Sequence, residues 1–171
     1  MIPRPLTLAE TALEVAGHLA LTAEDGLPAR YRSLLLLSPA EPAFWPLFRA
    51  SPEANDGRPD PLDRWSTRVI GAVARAHDAL AVFPFGGPPW HPFIGWAQRT
   101  GRIHASPVTL LVHDRAGLFV SFRGALAVTD TLAPDPRPSP CASCAGQPCR
   151  TACPVSALTA QGYDTARCHA F

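Results

Sequence analysis

Lysine is absent from this chain of 171 residues, and all fifteen of its cations are arginine. With abundant alanine and twenty prolines, that bias reads as GC-rich coding, so single arginines are weak evidence of phosphate contacts. Charge is sparse as well, at 17% of residues, with a formal net charge of +1. No basic run occurs, so the electrostatic footprint of a nucleic-acid binder is missing. The longest apolar stretch, "SLLLLSPA", falls far short of a membrane span. The N-terminus, "MIPRPLTLAETALE", has no apolar core and carries acids early, unlike a secretory signal. Neither a phosphate-binding Gly-x-Gly-x-x-Gly nor a lysine-bearing P-loop is present. These absences predict a cytoplasmic protein that binds neither nucleic acid nor membrane. What is plentiful is apolar character, 47% of residues, enough for a chain of this length to bury one core.

Helical and extended patterns alternate along the first three quarters of the chain. "TLAETALEVAGHLAL" opens with Thr7 three residues before Glu10, a capping box, and predicts a helix. "RYRSLLLLSP", from Arg30, predicts a buried strand, and a short helix carrying Phe44, Trp45, Leu47 and Phe48 follows. "SPEANDGRPD" is a turn-rich polar loop. Asp60-Pro61 starts a helix that runs to about His77, and "ALAVFPF" is a second apolar strand. "SPVTLLVHDRAGLFVSFRGALAV" reads as a β-hairpin turning at "DRAG". This pattern predicts an α/β or α+β body over residues 1–130, with at least one antiparallel pair. "LAPDPRPSP", four prolines in nine residues, predicts a stiff linker over 131–140 into a small cysteine module at 141–171.

That module holds all five cysteines. The spacing is Cys141-x2-Cys144-x4-Cys149-x3-Cys153-Pro154, with Cys168 close behind. An odd number of thiols in a reducing compartment argues against a disulfide framework. Zinc favours Cys-x2-Cys pairs set a dozen or more residues apart, and only one such pair exists here. The compact run ending in Cys-Pro suits a [4Fe–4S] cubane better, with zinc and unliganded thiols as the alternatives. It departs from the bacterial ferredoxin run by Gln147-Pro148, two extra residues between the second and third cysteines. "VSAL" after Pro154 resembles a helix start beneath the cluster. Either one cubane takes four of the five thiols, or Cys153 and Cys168 belong to a second cluster. In the second case the chain is the front part of a longer one, or a homodimer supplies the missing ligands.

The hairpin, the proline-rich stretch and the cysteine run together resemble one superfamily. It unites epoxyqueuosine reductases, reductive dehalogenases and CblC-type cobalamin-processing proteins. His113, Arg115 and Gly117, followed by Arg123-Gly124, look most like the CblC branch, and "CPVSAL…YDTARCHAF" looks like the first half of the reductases' double-cluster segment. The resemblance covers about residues 70–171. It implies a nitroreductase-like body holding cobalamin or a flavin, and a ferredoxin-like segment that delivers electrons to it. The reductases' catalytic acid has no match in this sequence, nor has their later cysteine motif.

"FPFGGPPWHPFIGW", residues 83–96, supplies the remaining candidates. Gly86-Gly87 can let backbone approach a flat macrocycle, with Phe85, Trp90 and Trp96 as apolar faces. The plainer alternative is a rigid loop whose aromatics cover the core. His113 can contact a cofactor or carry protons, although a hydrogen-bonded structural histidine is the commoner case. Arg115 and Arg123 can hold acidic groups in bidentate fashion, or merely solubilise the surface. Residues and resemblance together predict an iron–sulfur redox protein whose cluster passes electrons to cobalamin or a flavin held in the α/β body, with a redox partner protein. A non-enzymatic electron carrier and a cobalamin-trafficking module with a vestigial cluster are the alternatives.

Overall fold

A late strand, Gly124–Val128, slots between two much earlier ones and completes the larger sheet of the fold. The structure was obtained as a computed structural model and describes residue 8, residues 10–159 and residues 161–171. The chain divides into two compact units, residues 1–93 with 121–134, and residues 94–120 with 135–171. Residues 94–120, which the sequence places with the body, therefore group with the cysteine segment. The fold class is α+β, and every strand pair among the described residues is antiparallel.

The first unit is built on four strands, β1 (Leu13–Ala20), β2 (Ser33–Pro39), β3 (Leu80–Val82) and β6 (Gly124–Val128), in the order β1-β2-β6-β3. The "SLLLL" run forms β2 because it lies between β1 and β6 and is buried throughout, which a continuous apolar run requires. Leu35 faces Leu126 and Leu36 faces Ala125 across the β2–β6 register. Helices α1 (Phe44–Arg49) and α3 (Pro61–Ala76) cover this sheet. The apolar stripe of α3, including Trp65, Ile70, Val73 and Ala74, packs with Phe44, Phe48, Leu37 and Leu126 in one core cluster. Trp65 is fully buried, and the Phe44 and Phe48 rings meet it edge-on at 5.3 and 6.2 Å.

Three sequence expectations are corrected here. Residues 13–20 form β1, not a helix, while Thr7 of the expected capping box lies outside the described residues. A β-bulge between Val15 and Gly17 adds one residue, so Leu13, Ala16 and Leu19 are buried at intervals of three. That spacing imitates a helix. Inside the polar loop, Pro52–Asn55 forms a short helix, α2, tied down where the Asn55 amide donates to the carbonyls of Arg49 and Ser51. The hairpin's two strands do not pair with each other. Strand β5 (Leu111–His113) pairs with β4 (Ile103–Ala105) in the second unit, whereas β6 enters the first unit's sheet. Only the turn is as expected: His113 and Gly117 exchange backbone hydrogen bonds of 2.9 and 3.1 Å.

The proline-rich stretch is extended but anchored at both ends. In the first unit, Leu132 N–H donates to Ser33 Oγ at 3.0 Å, and His18 Nε2 lies 2.7 Å from the Ala133 carbonyl. In the second, Arg137 N–H donates to the Gly101 carbonyl at 2.8 Å, and His104 Nε2 lies 3.0 Å from the Arg137 carbonyl. Gly101 ends α4 (Phe93–Arg99) in the left-handed conformation.

Candidate thiol site and cofactor cavity

The cysteine run folds as a series of tight turns separated by prolines. Ser139 Oγ accepts from Cys141 N–H, opening a single helical turn at Pro140–Ala142. A second such turn, Pro148–Arg150, carries Cys149. After Cys153-Pro154, the segment "VSAL" does not begin the expected helix. Ser156 takes a positive φ of 52°, and the chain enters a small hairpin, β7 (Leu158–Thr159) with β8 (Gly162–Tyr163). This turn wraps backbone N–H groups around a sulfur. Ala157 N–H donates to Cys153 Sγ at 3.2 Å. That bond, with further donation from Val155, Leu158 and Ser156, holds the Cys153 thiol below its ordinary range, although burial pulls the other way.

Cys168 sits on α5 (Thr165–His169), whose N-terminus is capped where Asp164 Oδ1 accepts from Arg167 N–H. Hydrogen bonding to Cys168, then burial and the charge of the Cys168 and Cys153 thiols, push the Tyr163 hydroxyl above its ordinary range.

Five free thiols, with N–H donors turned toward one of them, form a donor set that fits an iron–sulfur cluster in chemistry. The sulfurs are not yet gathered. Among the described residues, no three of His, Cys, Asp and Glu converge closely enough to hold a metal ion.

The predicted cofactor residues separate into two groups. Phe85 and Gly86 line a cavity of about 460 Å³ in the first unit, together with Asp60, Asp63, Arg64, Thr67 and Arg68 of the α3 N-terminal turns. The Phe85 ring stacks on Phe83 at 5.1 Å. Arg123 comes within 3.6 Å of Asp63, and burial lowers its guanidinium below the ordinary range against the pull of that carboxylate. Gly87 faces the Trp90 ring, which would lie 2.8 Å from an added Cβ, and Trp90 itself is exposed. Gly124 is buried in β6, where a Cβ would stand 2.8 Å from Ile70 and 3.1 Å from Phe83.

Arg64 and Arg68 face the cavity with their charge already matched. Arg64 grips both oxygens of Asp56 at 2.7 Å, and Arg68 pairs with Glu53. Those guanidinium hydrogen bonds are the main reason that the Asp56 and Glu53 carboxyls each fall to about 2. Sequence reasoning missed this α3 face. Its signal was the polar spacing of Asp60, Asp63, Arg64, Thr67 and Arg68, three or four residues apart on one helix side.

His113, Arg115 and Gly117 belong to the second unit, and so does Trp96, which is buried there as core. His113 is 1% exposed, and its Nδ1 accepts from the N–H groups of Arg115 and Ala116, both at 3.1 Å. Its Nε2 lies 3.0 Å from Asp114, which Arg102 Nη2 holds through both oxygens at 2.9 and 2.8 Å. Burial raises the Asp114 carboxyl, but the Arg102 bonds and the neighbouring positive groups outweigh it and leave the group below its ordinary value. The arrangement fixes the turn through the imidazole. No family model, characterised protein or solved structure matches the chain. No described helix is long and apolar enough to cross a membrane.

Proposed function

We propose that this chain is a cytoplasmic iron–sulfur redox protein related to the CblC and epoxyqueuosine-reductase superfamily. Four thiols drawn from Cys141, Cys144, Cys149, Cys153 and Cys168 hold one [4Fe–4S] cluster. The observation that carries this reading is the Cys153 sulfur, set in the compact run before a proline and receiving the Ala157 N–H. N–H donation to sulfur stabilises a ligating thiolate and tunes its potential. Bound there, the cluster supplies one-electron transfer. The protein's own part is to present the thiolates and to surround them with backbone dipoles. The first unit, nitroreductase-like in this reading, holds the second redox group, a flavin or cobalamin, against Phe85 and Gly86. Asp60 and Asp63 are positioned to accept its hydrogen bonds, and a redox partner protein completes the electron path.

Iron and acid-labile sulfide per chain, measured after anaerobic purification, test the cluster. About four of each, with broad absorption in the visible, is the expected result. Zinc, or no metal, overturns it. Titration with a flavin and with cobalamin tests the cavity, where Phe85→Ala should weaken the spectral change that the bound group gives. A change that Phe85→Ala leaves intact would move the second cofactor elsewhere.

A further inference from the structure

A short relay of backbone bonds links two of the five cysteines without any metal. Ala157 N–H donates to the Cys153 sulfur at 3.2 Å. The Ala157 carbonyl accepts from Asp164 N–H at 2.9 Å, and the Asp164 carbonyl accepts from Cys168 N–H at 3.1 Å. Three successive hydrogen bonds thus lead from one sulfur to the backbone of the other cysteine, fifteen positions later in the sequence. The β7–β8 hairpin enforces the return, pairing Leu158 with Tyr163 and Thr159 with Gly162. Ala157, at the middle of the step, is wholly buried, while both cysteines stay half-exposed and open to small reagents.

We propose that Cys153 and Cys168 are a peroxide-sensitive pair that closes to a disulfide when the chain carries no metal. One thiolate of the pair attacks a peroxide oxygen and the O–O bond breaks. Its sulfur becomes a sulfenic acid, and the departing hydroxide leaves as water with the thiol's proton. The second thiol then attacks the sulfenic sulfur. The S–S bond forms, the S–O bond breaks, and the hydroxyl leaves with the second thiol's proton as another water. Two thiols and one hydrogen peroxide give one disulfide and two waters. The closed pair withdraws two candidate ligands, so oxidation and cluster loading exclude each other; this consequence alone rests on the proposed function.

The arrangement of arginines gives a direct test on the full, metal-free chain. Trypsin cuts after Arg150 and Arg167, leaving Cys153 on residues 151–167 and Cys168 on residues 168–171. The other three cysteines remain together on residues 124–150, because Arg137 precedes a proline. After hydrogen peroxide and alkylation, the dominant product should be 151–167 linked to 168–171. The free-thiol titre should drop from five to three. Cys153→Ser and Cys168→Ser should each abolish that species while leaving the circular dichroism spectrum unchanged. Links confined to 124–150, links between copies, or sulfinic acid without a link would each overturn the pairing. No iron enters this experiment. A chain that takes up iron but gives no crosslink removes the disulfide alone, and a chain that crosslinks but takes up no iron removes the cluster alone.

Discussion

Replacing Gly101 by alanine should loosen the extended segment that leads into the cysteines. Gly101 has φ near 70°, and an added Cβ would stand 2.9 Å from Pro136 Cβ and 3.1 Å from its Cα. The left-handed backbone costs an alanine about 1–2 kcal/mol. Pressing a methyl into packed proline adds about 1–3 kcal/mol, since neither a ring nor backbone can swing away. Gly117 is the matched control in the same unit, with φ of 58° and nothing within 4 Å of an added Cβ. Gly117→Ala should therefore cost only the backbone part, and the unfolded-chain entropy gained by either substitution cancels in the comparison. Urea unfolding gives the two free energies. Amide exchange gives a local readout at Arg137, whose N–H donates to the Gly101 carbonyl. Gly101→Ala should be the more destabilising by about 1–3 kcal/mol and should lose Arg137 protection, which Gly117→Ala keeps. Equal costs, or unchanged Arg137 protection, would show that Pro136 does not press on this glycine.

Trp65→Ala removes the ring at the centre of the first unit's core and should cost about 3–5 kcal/mol in chemical denaturation. His113→Ala should cost about 1–3 kcal/mol, because it removes a fully buried side chain and takes the His113 acceptor from the part-buried N–H groups of Arg115 and Ala116. The Glu53 carboxyl, held at about 2 chiefly by Arg68, lies below its unfolded value of 4.5. Its contribution is therefore present above pH 4.5 and is lost as the pH falls from there toward 2. Glu53→Gln should flatten that part of the acid-denaturation curve, and an unchanged curve would refute the pairing.

How much of this was legible depended on whether a residue's burial was decided locally. The four-leucine run named β2 because a strand buried on both faces needs no alternation. The α3 helix announced itself by Asp60-Pro61 and by apolar residues at Val69, Val73 and Ala76. Strand β1 was illegible because its bulge converts a two-residue period into an apparent three. The hairpin misled for a different reason. The His113–Gly117 turn is local and was readable, but β5 pairs with Ile103–Ala105 and β6 with Ser33–Leu37 and Leu80–Val82, and nothing in the turn encodes those partners. In the thiol site, spacing exposed the five cysteines. The step through Ala157 and Asp164 depends on backbone bonds that no side-chain pattern announces.

The position of β6 has a consequence for how the protein is made. Of the four strands in the first unit's sheet it is the last synthesised, yet it lies between β2 and β3. On the ribosome, β2 and β3 emerge with a vacant place between them, and the whole of residues 94–120 follows before the strand that fills it. An edge left waiting is an invitation to the wrong strand, including that of a neighbouring nascent chain. Expression clones that stop after residue 93 or residue 120 should aggregate, and those reaching residue 134 are the first in which the sheet can close.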